Sequence, residues 1–200
     1  MDLKTRAINM ITKPADEWPV VAAESQTIES LIKNYAAPLA AIPAIAGFIG
    51  RALLSAVLPS FGFLAIGIVG GVVAALLQWV LALVGVFVCT LVVEFLAPNF
   101  NSTKSRVQAM KLVVFAMTPA WVGGVFQVLP LLGSLLALVA GLYAIYVFYL
   151  GFPPVLNTPP SQVIPYMAIC VLVMIVIFVM LAMITTALTL ALVGAAAIAS

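Results

Sequence analysis

Histidine is absent from the 200-residue sequence, and acidic residues are scarce beyond its first segment. Glu94 is the single carboxylate after Glu29. A Ser-His-Asp triad therefore cannot form, and neither can a pair of carboxylates for acid–base catalysis between the apolar segments. No Walker-type phosphate-binding loop is present. The sequence predicts a protein that is not an enzyme and that binds no cofactor and no metal.

Charged residues are also few, at 7% of the chain, while hydrophobic residues make up 66%. A soluble domain has roughly 25% and roughly 45 to 50% of these classes. Because so few polar side chains cannot cover a water-soluble core, lipid must surround most of the surface. The net charge of +2 includes no basic patch of the kind that binds nucleic acid. Cys89 and Cys170 lie inside apolar runs and indicate buried side chains, not disulfides.

The first segment, residues 1–33, is the only conventionally polar one and carries nine charges. It has no continuous apolar core, so we expect no cleavable signal peptide. Pro14 followed by Asp16 and Glu17 predicts the first turn of a short helix. Trp18 is expected to mark the membrane surface. The residues before it predict a weakly amphipathic stretch on the headgroups, with a frayed tail as the alternative.

Five apolar segments follow, and each is expected to cross the membrane as a helix. Their approximate bounds are 35–58, 64–96, 107–128, 131–150 and 165–195, within a membrane domain covering 34–200. The second is long enough to be either one tilted helix or two half-spans broken at Gly70-Gly71. Prolines predict a kink or late start in the first span, at Pro38 and Pro43, and a kink in the third, at Thr118-Pro119. The predicted fold class is all-α: a polytopic membrane protein with five transmembrane helices and a short amphipathic N-terminal cytoplasmic segment.

The distribution of basic residues favours the single long helix. With one crossing over 64–96, seven of the eight Lys and Arg residues share one side, and only Arg51 lies on the other. The positive-inside rule then places the amino terminus and two loops, 97–111 and 151–165, in the cytoplasm. Five crossings place the carboxyl terminus outside. Short turns are expected at Pro59, Ser60 and Gly62, and again at Pro130.

The fourth span runs into a proline-rich stretch. Gly151 tolerates positive φ, and Pro153 and Pro154 cannot continue a helical hydrogen-bond ladder. The helix is therefore expected to end within a residue or two of Leu150. Three tyrosines, three residues apart, then form an arc near its end that indicates an interfacial anchor: Tyr143, Tyr146 and Tyr149.

Several motifs carry a family resemblance, in order along nearly the whole chain. They are Ala15-Asp16-Glu17-Trp18, Tyr35-Ala36-Ala37-Pro38-Leu39, Ala97-Pro98-Asn99-Phe100, Thr118-Pro119-Ala120-Trp121 with Pro130, and Gly141-Leu142-Tyr143 leading into Tyr149-Leu150-Gly151-Phe152-Pro153. This set resembles the Yip family, multi-span membrane proteins first known as binders of Ypt/Rab GTPases. One departure is Asn101-Ser102-Thr103, which stands where family members often carry glycines.

The resemblance implies the same five-span topology and, in eukaryotes, roles in vesicle budding and in recruiting Rab GTPases to membranes. The long polar amino-terminal region of the eukaryotic members is absent from this sequence. The chain is therefore similar to the short prokaryotic members, which implies a bacterial cytoplasmic membrane. A Rab-type GTPase is expected as a partner only if the source is eukaryotic.

Two sets of residues are candidates for function. An ionisable side chain inside a span is a functional candidate by default, which singles out Glu94. Its structural alternative is an interfacial ion pair with Lys104, Arg106 or Lys111. Two glutamines, Gln78 and Gln127, and Tyr143 and Tyr146 are the polar side chains that would line a path with Glu94. Small residues spaced by four predict faces for helix packing, at Gly67 and Gly71 and at Gly133, Ala137 and Gly141.

Three functional hypotheses follow. The first is a non-catalytic protein that organises the membrane or docks partners through loops 97–111 and 151–165, beside Tyr149, Gly151 and Pro153. The second is a small transporter or channel for an ion, a metal or a lipid. The third is an accessory subunit of a larger membrane complex. The expected partners are the lipid bilayer, other membrane proteins or further copies of this chain, and not nucleic acid.

Overall fold

The computed structural model describes residues 2–57, 63–129 and 132–199, and every regular element in these ranges is helical. The α-helices are α1 (Leu3–Thr12), α2 (Pro14–Ala23), α3 (Ile28–Leu31), α4 (Ala37–Val57), α5 (Phe63–Leu96), α6 (Arg106–Ala116), α7 (Thr118–Gly123), α8 (Leu132–Leu156) and α9 (Pro160–Ala199). A π-helical turn, Ile32–Ala36, precedes α4, and 3₁₀ turns cover Ala97–Phe100 and Gly124–Val128.

Five stretches of the described chain are long and apolar enough to cross a membrane. They are Ile28–Ala56, Gly70–Phe100, Arg106–Val128, Leu132–Leu156 and Pro160–Ala191. This confirms the predicted all-α fold class with five spans. The turns predicted at Pro59, Ser60, Gly62 and Pro130 lie outside the described residues.

The second span is one helix. α5 runs for 34 residues without interruption at Gly70-Gly71, so the prediction of a single long helix is confirmed. At 1.5 Å per residue it is about 50 Å long and exceeds the roughly 30 Å of hydrocarbon. It therefore tilts or extends beyond the hydrocarbon.

The third span is broken where proline predicts it. α6 ends at Ala116 and α7 begins at Thr118, with Pro119 in its first turn. The missing N–H of Pro119 would leave the carbonyl of Phe115 without its helical donor. The hydroxyl of Thr118 donates to that carbonyl at 2.7 Å, and the hydroxyl of Tyr35 lies 2.9 Å from the Thr118 oxygen. Hydrogen bonds of Thr118 and Tyr35 thus replace the helical bond that is lost at Pro119.

The first span is irregular just before its first proline. The N–H of Ala37 donates to the carbonyl of Ile32, five residues earlier, which makes the π turn. Pro38 follows directly and α4 continues from there through Pro43. The irregularity predicted for this span is therefore a single π turn, the form in which π-helical geometry usually occurs within helices.

The fourth span extends further than the sequence indicates, and the prediction that it ends near Leu150 is wrong. α8 continues to Leu156 with Pro153 and Pro154 in its last turn and a half. Gly151 does not adopt positive φ there. Instead Asn157, at φ 52°, adopts the left-handed conformation that ends the helix.

The two predicted loops are consequently much shorter than 97–111 and 151–165. Residues 97–100 form a 3₁₀ turn, and residues 106–111 already belong to α6. Residues 151–156 belong to α8, and α9 begins at Pro160. Irregular backbone at this end of the molecule, which we call the loop end, is therefore confined to residues 101–105 and 157–159.

Packing is tight near the loop end and sparse away from it. In the span Arg106–Val128, 72% of the most apolar window is buried, against 6% in Pro160–Ala191. The buried core gathers α1, α2, α6, the last part of α5 and the loop-end parts of α8 and α9. The remaining lengths of α5, α8 and α9 expose large aliphatic side chains, as helix surfaces facing lipid do.

Candidate functional site

The two loops at the loop end are joined to each other by hydrogen bonds. The N–H of Thr103 donates to the carbonyl of Leu156 at 2.7 Å. The hydroxyls of Ser102 and Thr158 lie 2.9 Å apart, and the amide of Asn157 donates to the hydroxyl of Thr103 at 3.1 Å. Because backbone and side chains both take part, the two loops form one surface.

Asparagine supplies the backbone geometry that this surface requires. Asn101 has φ 51° and Asn157 has φ 52°, both in the left-handed region that asparagine tolerates better than most residues. Within the departure at residues 101–103, Asn101 is therefore a residue that accepts positive φ. Seven exposed residues here are uncharged, and we call them the loop-end platform: Pro98, Asn99, Asn101, Thr103, Asn157, Pro160 and Ser161.

Glu94 lies beside this platform, at the end of α5. Nε of Arg106 donates to its carboxylate at 2.7 Å, and the side chain of Glu94 is 15% exposed. The interfacial ion pair is therefore present, with Arg106 as the partner. Lys104 is exposed nearby, and no described side chain pairs with it.

Lys111 is not part of the loop surface, although its place in the sequence puts it among the basic residues there. It is 2% exposed. Its ammonium donates to the carbonyls of Val21 at 2.9 Å, Ala22 at 3.2 Å and Glu24 at 2.5 Å, which are the unpaired carbonyls at the end of α2. The helix dipole also stabilises a cation at the carboxyl terminus of a helix.

α1 and α2 are held against the bundle by a buried ion cluster. Arg6 is 3% exposed and pairs with both Glu17 and Glu24. The amide of Asn9 donates to Glu17 at 2.9 Å, and the guanidinium of Arg6 lies 5.8 Å from the ring centre of Phe115. The helix predicted from Pro14 is confirmed. Arg6 is paired in the interior, whereas Lys4 and Lys13 are exposed, and the weakly amphipathic stretch on the headgroups stays a prediction.

Trp18 is fully buried, so the expectation that it marks the membrane surface is wrong. Its indole N–H donates to the carbonyl of Val147 on α8 at 2.9 Å. Gly151 makes this contact possible. A Cβ there would lie 2.7 Å from the Trp18 ring and 2.4 Å from a methyl carbon of Leu112. Gly151 thus serves close packing, while Pro153 lies exposed at the end of α8.

The tyrosine arc divides into two parts. The hydroxyl of Tyr143 donates to the carbonyl of Ile11 at 2.7 Å and so fastens the end of α1 to α8. Tyr146 lies 5.8 Å from it between ring centres and is 51% exposed. Tyr149 is 38% exposed. Tyr143 is therefore a structural contact, and the other two face outward.

The two glutamines lie away from Glu94. Gln78 lines a small groove of about 230 Å³ with Arg51 and three threonines of α9, Thr185, Thr186 and Thr189. The Gln127 amide oxygen and the Arg51 guanidinium both lie beside Gly47, at 3.0 and 3.3 Å from where its Cβ would be. Gln78 is sixteen residues before Glu94, about 24 Å along α5. Across the described residues, these side chains do not meet in one cavity.

The small residues predicted to form helix-packing faces differ in how closely they are packed. A Cβ at Gly133 would lie 2.0 Å from the carbonyl oxygen of Phe126, so that glycine permits close backbone contact. Ala137 is half-buried, and a Cβ at Gly141 would meet nothing within 4 Å. Gly71 is buried on the Gln78 groove, whereas the surroundings of Gly67 are not described.

Sequence reasoning missed the cluster of Arg6, Glu17, Glu24 and Lys111. A signal exists for Lys111, since it stands between Met110 and Leu112 at the start of an apolar run, and a charge there needs a buried partner. In the part of the chain that the structure describes, no three His, Cys, Asp or Glu side chains gather as metal ligands.

Comparison with known proteins gives consistent matches. The model of the Yip1 domain family matches residues 8–183. The Inner membrane protein YohC of Escherichia coli K12 is 29% identical over 150 residues, which cover 74% of this chain and 77% of that protein. YohC of Escherichia coli strain CFT073 matches to the same extent. No solved structure matches the chain.

Proposed function

The chain belongs to the Yip1 domain family of multi-span membrane proteins, and from that premise we propose that it is a non-enzymatic docking protein. Its partner is another membrane or membrane-associated protein, which binds the loop-end platform in the cytoplasm. The cytoplasmic membrane is proposed as its location, because YohC carries the name of an inner membrane protein. A GTPase of the Rab type is not carried over to a bacterial chain.

The hydrogen-bonded junction of the two loops is the observation that carries this proposal. A surface held by Thr103, Ser102 and Thr158 is ordered before a partner arrives, so binding costs less conformational entropy. Its exposed amides, hydroxyls and proline rings suit a polar partner surface.

Photo-crosslinking in native membranes tests the docking site. A photoreactive amino acid replaces Asn99 on the platform or, as the control, Leu138, which is 58% exposed on the apolar length of α8. We expect one discrete protein adduct from Asn99 and none from Leu138. An adduct from Leu138 alone would support the accessory-subunit hypothesis instead, and none from either position would overturn docking.

A matched pair of substitutions links the adduct to the geometry of the platform. Thr158→Val removes the contact with Ser102, whereas Thr186→Val removes only a bond from Thr186 to its own helix. We expect the Asn99 adduct to fall several-fold with Thr158→Val and to persist with Thr186→Val. Equal yields from both variants would contradict the proposed role of the loop junction.

Transport is the second candidate function, and the groove of Arg51 and Gln78 is the observation that favours it. An unneutralised cation inside a span is costly and marks functional sites by default. No described carboxylate lies in that groove. Flux assays in liposomes decide: a flux that Arg51→Gln abolishes would replace docking by transport, whereas the absence of any flux leaves docking as the proposal.

A further inference from the structure

An open groove of about 630 Å³ lies between α5 and α9 beside the loop end. Its wall is apolar over about two helical turns and consists of side chains from both helices: Val88, Leu91, Val92, Phe95, Ile169 and Val173. Phe95 at its edge is 74% exposed. A lateral opening of this kind between two spans is in contact with the acyl chains of the bilayer.

Charged residues stand only at the end of this groove that is nearest the platform. Lys104 and Arg106 line it together with Glu94. Two positive charges and one negative charge leave a net charge of +1 at the mouth. The carboxylate engages Nε of Arg106, and no described group engages its two terminal amino groups. These amino groups and the Lys104 ammonium therefore provide hydrogen-bond donors for an anion.

A hydrogen bond and a ring stack hold the mouth in place. The hydroxyl of Tyr166 on α9 donates to the carbonyl of Val93 on α5. The ring of Tyr166 stacks on Phe100, with ring centres 4.6 Å apart and planes within 7°. The two walls therefore keep their spacing at the charged end, and the groove is a pre-formed feature of the fold.

We propose that this groove binds an anionic phospholipid. One acyl chain lies along Val92 and Ile169, and the phosphate contacts Lys104 and the free amino groups of Arg106. Basic pockets between spans recognise anionic headgroups in this way. Glu94 holds Arg106 in place while limiting the positive charge of the site. This inference concerns a lateral site and is independent of protein docking on the platform.

Lipid binding to the purified full chain tests this proposal without any protein partner. Native mass spectrometry compares phosphatidylglycerol with phosphatidylcholine of the same acyl chains, titrated into the delipidated protein. Since each basic residue near a membrane surface contributes about fivefold in affinity for anionic lipid, Lys104→Gln should weaken phosphatidylglycerol binding about fivefold. Lys33→Gln, at an exposed lysine outside the groove, should leave it unchanged.

Glu94→Gln is the more specific test, because it should strengthen phosphatidylglycerol binding, whereas Lys104→Gln should weaken it. The substitution removes a negative charge and frees Arg106, so phosphatidylglycerol should bind more tightly by about the same factor. Equal binding of the two lipids by the unmodified chain, or weaker phosphatidylglycerol binding in Glu94→Gln, would overturn the proposal.

A third measurement uses only the unmodified chain and does not depend on a folded variant. A photoreactive group on the acyl chain of phosphatidylglycerol should label residues 88–95 and 169–173 more strongly than the exposed residues 135–142 of α8. Uniform labelling of these segments would show ordinary lipid contact and would overturn the site.

Discussion

Two glycines on the same helix illustrate how differently one residue type contributes. A Cβ at Gly151 would press against Trp18 and Leu112, whereas a Cβ at Gly141 would have no heavy atom within 4 Å. The sequence predicts Gly151 as a helix stop and Gly141 as part of a face for helix packing. Only the tertiary contacts distinguish them, because both are helical.

Gly151→Ala should destabilise the fold. The added methyl group would lie within 2.4 Å of Leu112 and 2.7 Å of Trp18, so α2 or α8 must move. Overpacking of this kind costs about 1–3 kcal/mol. The measurement is the temperature at which a thiol-reactive dye reaches the buried thiols of Cys89 and Cys170.

Gly141→Ala is the matched control for this prediction. A methyl group fits there without contact, and alanine in place of glycine stabilises a helix interior by about 0.5–1 kcal/mol. The dye should therefore react at an unchanged or higher temperature. Equal losses of stability in both variants would mean that close packing at Trp18 is not what Gly151 provides.

At the scale of elements, the packing of α1 and α2 on the bundle depends on the buried charges. Arg6→Ala leaves the carboxylate of Glu17 buried without its cation. Removing one partner of a buried ion pair costs about 3–5 kcal/mol, so the two helices should detach locally. Hydrogen exchange over residues 3–23 should accelerate strongly, while exchange in α9 stays unchanged.

Lys4→Ala is the control, because Lys4 lies on the same helix but is exposed. A surface substitution of this kind changes stability by about 0.5 kcal/mol or less. Exchange over residues 3–23 should match that of the unmodified chain. If Arg6→Ala also left exchange unchanged, contacts such as those of Trp18 and Met10 would hold these helices without the ion pairs.

The elements also show which features a sequence pattern determines. α5 was predictable as one helix, because splitting it would place Lys104, Arg106 and Lys111 on the outer side, against the positive-inside rule. The break at Thr118-Pro119 was predictable because proline removes a donor wherever it stands. The extension of α8 past Pro153 was not, because those prolines lie in a last turn whose left-handed end is set by Asn157.

The buried cluster of the site lies beyond such patterns. Arg6 and Glu17 are eleven residues apart on different helices, so their pairing follows from how α1 folds back on α2. Lys111 reaches carbonyls nearly ninety residues earlier in the chain. Local spacing carries no information on either contact, whereas the Glu94 pair was predictable from the proximity of both residues to one short loop.

At the scale of the whole molecule, the unequal packing implies a division of roles. The loop end has a core of its own, including Phe115, Phe152 and Tyr166, which are nearly inaccessible to solvent. The far lengths of α8 and α9 expose large aliphatic side chains, as helix surfaces facing lipid do. The loop end is therefore the part most independent of the bilayer, and the platform and the groove between α5 and α9 both lie on it.

The orientation of this end in the membrane is the last prediction. The hydrogen bond between Thr103 and Leu156 requires both loops to lie on the same side, and seven of eight basic residues favour the cytoplasm. Lys104→Cys and Ser161→Cys, in a chain without Cys89 and Cys170, should react with a membrane-impermeant maleimide only after permeabilisation. Leu129→Cys, in an exposed position at the other end of α6 and α7, should react in intact cells.

If all loop positions were labelled in intact cells, the orientation would be the reverse of the predicted one, and the proposed partner could not be cytoplasmic. Labelling of Lys104→Cys and Ser161→Cys from opposite sides would contradict the loop junction itself, because a hydrogen-bonded surface cannot be divided by a bilayer.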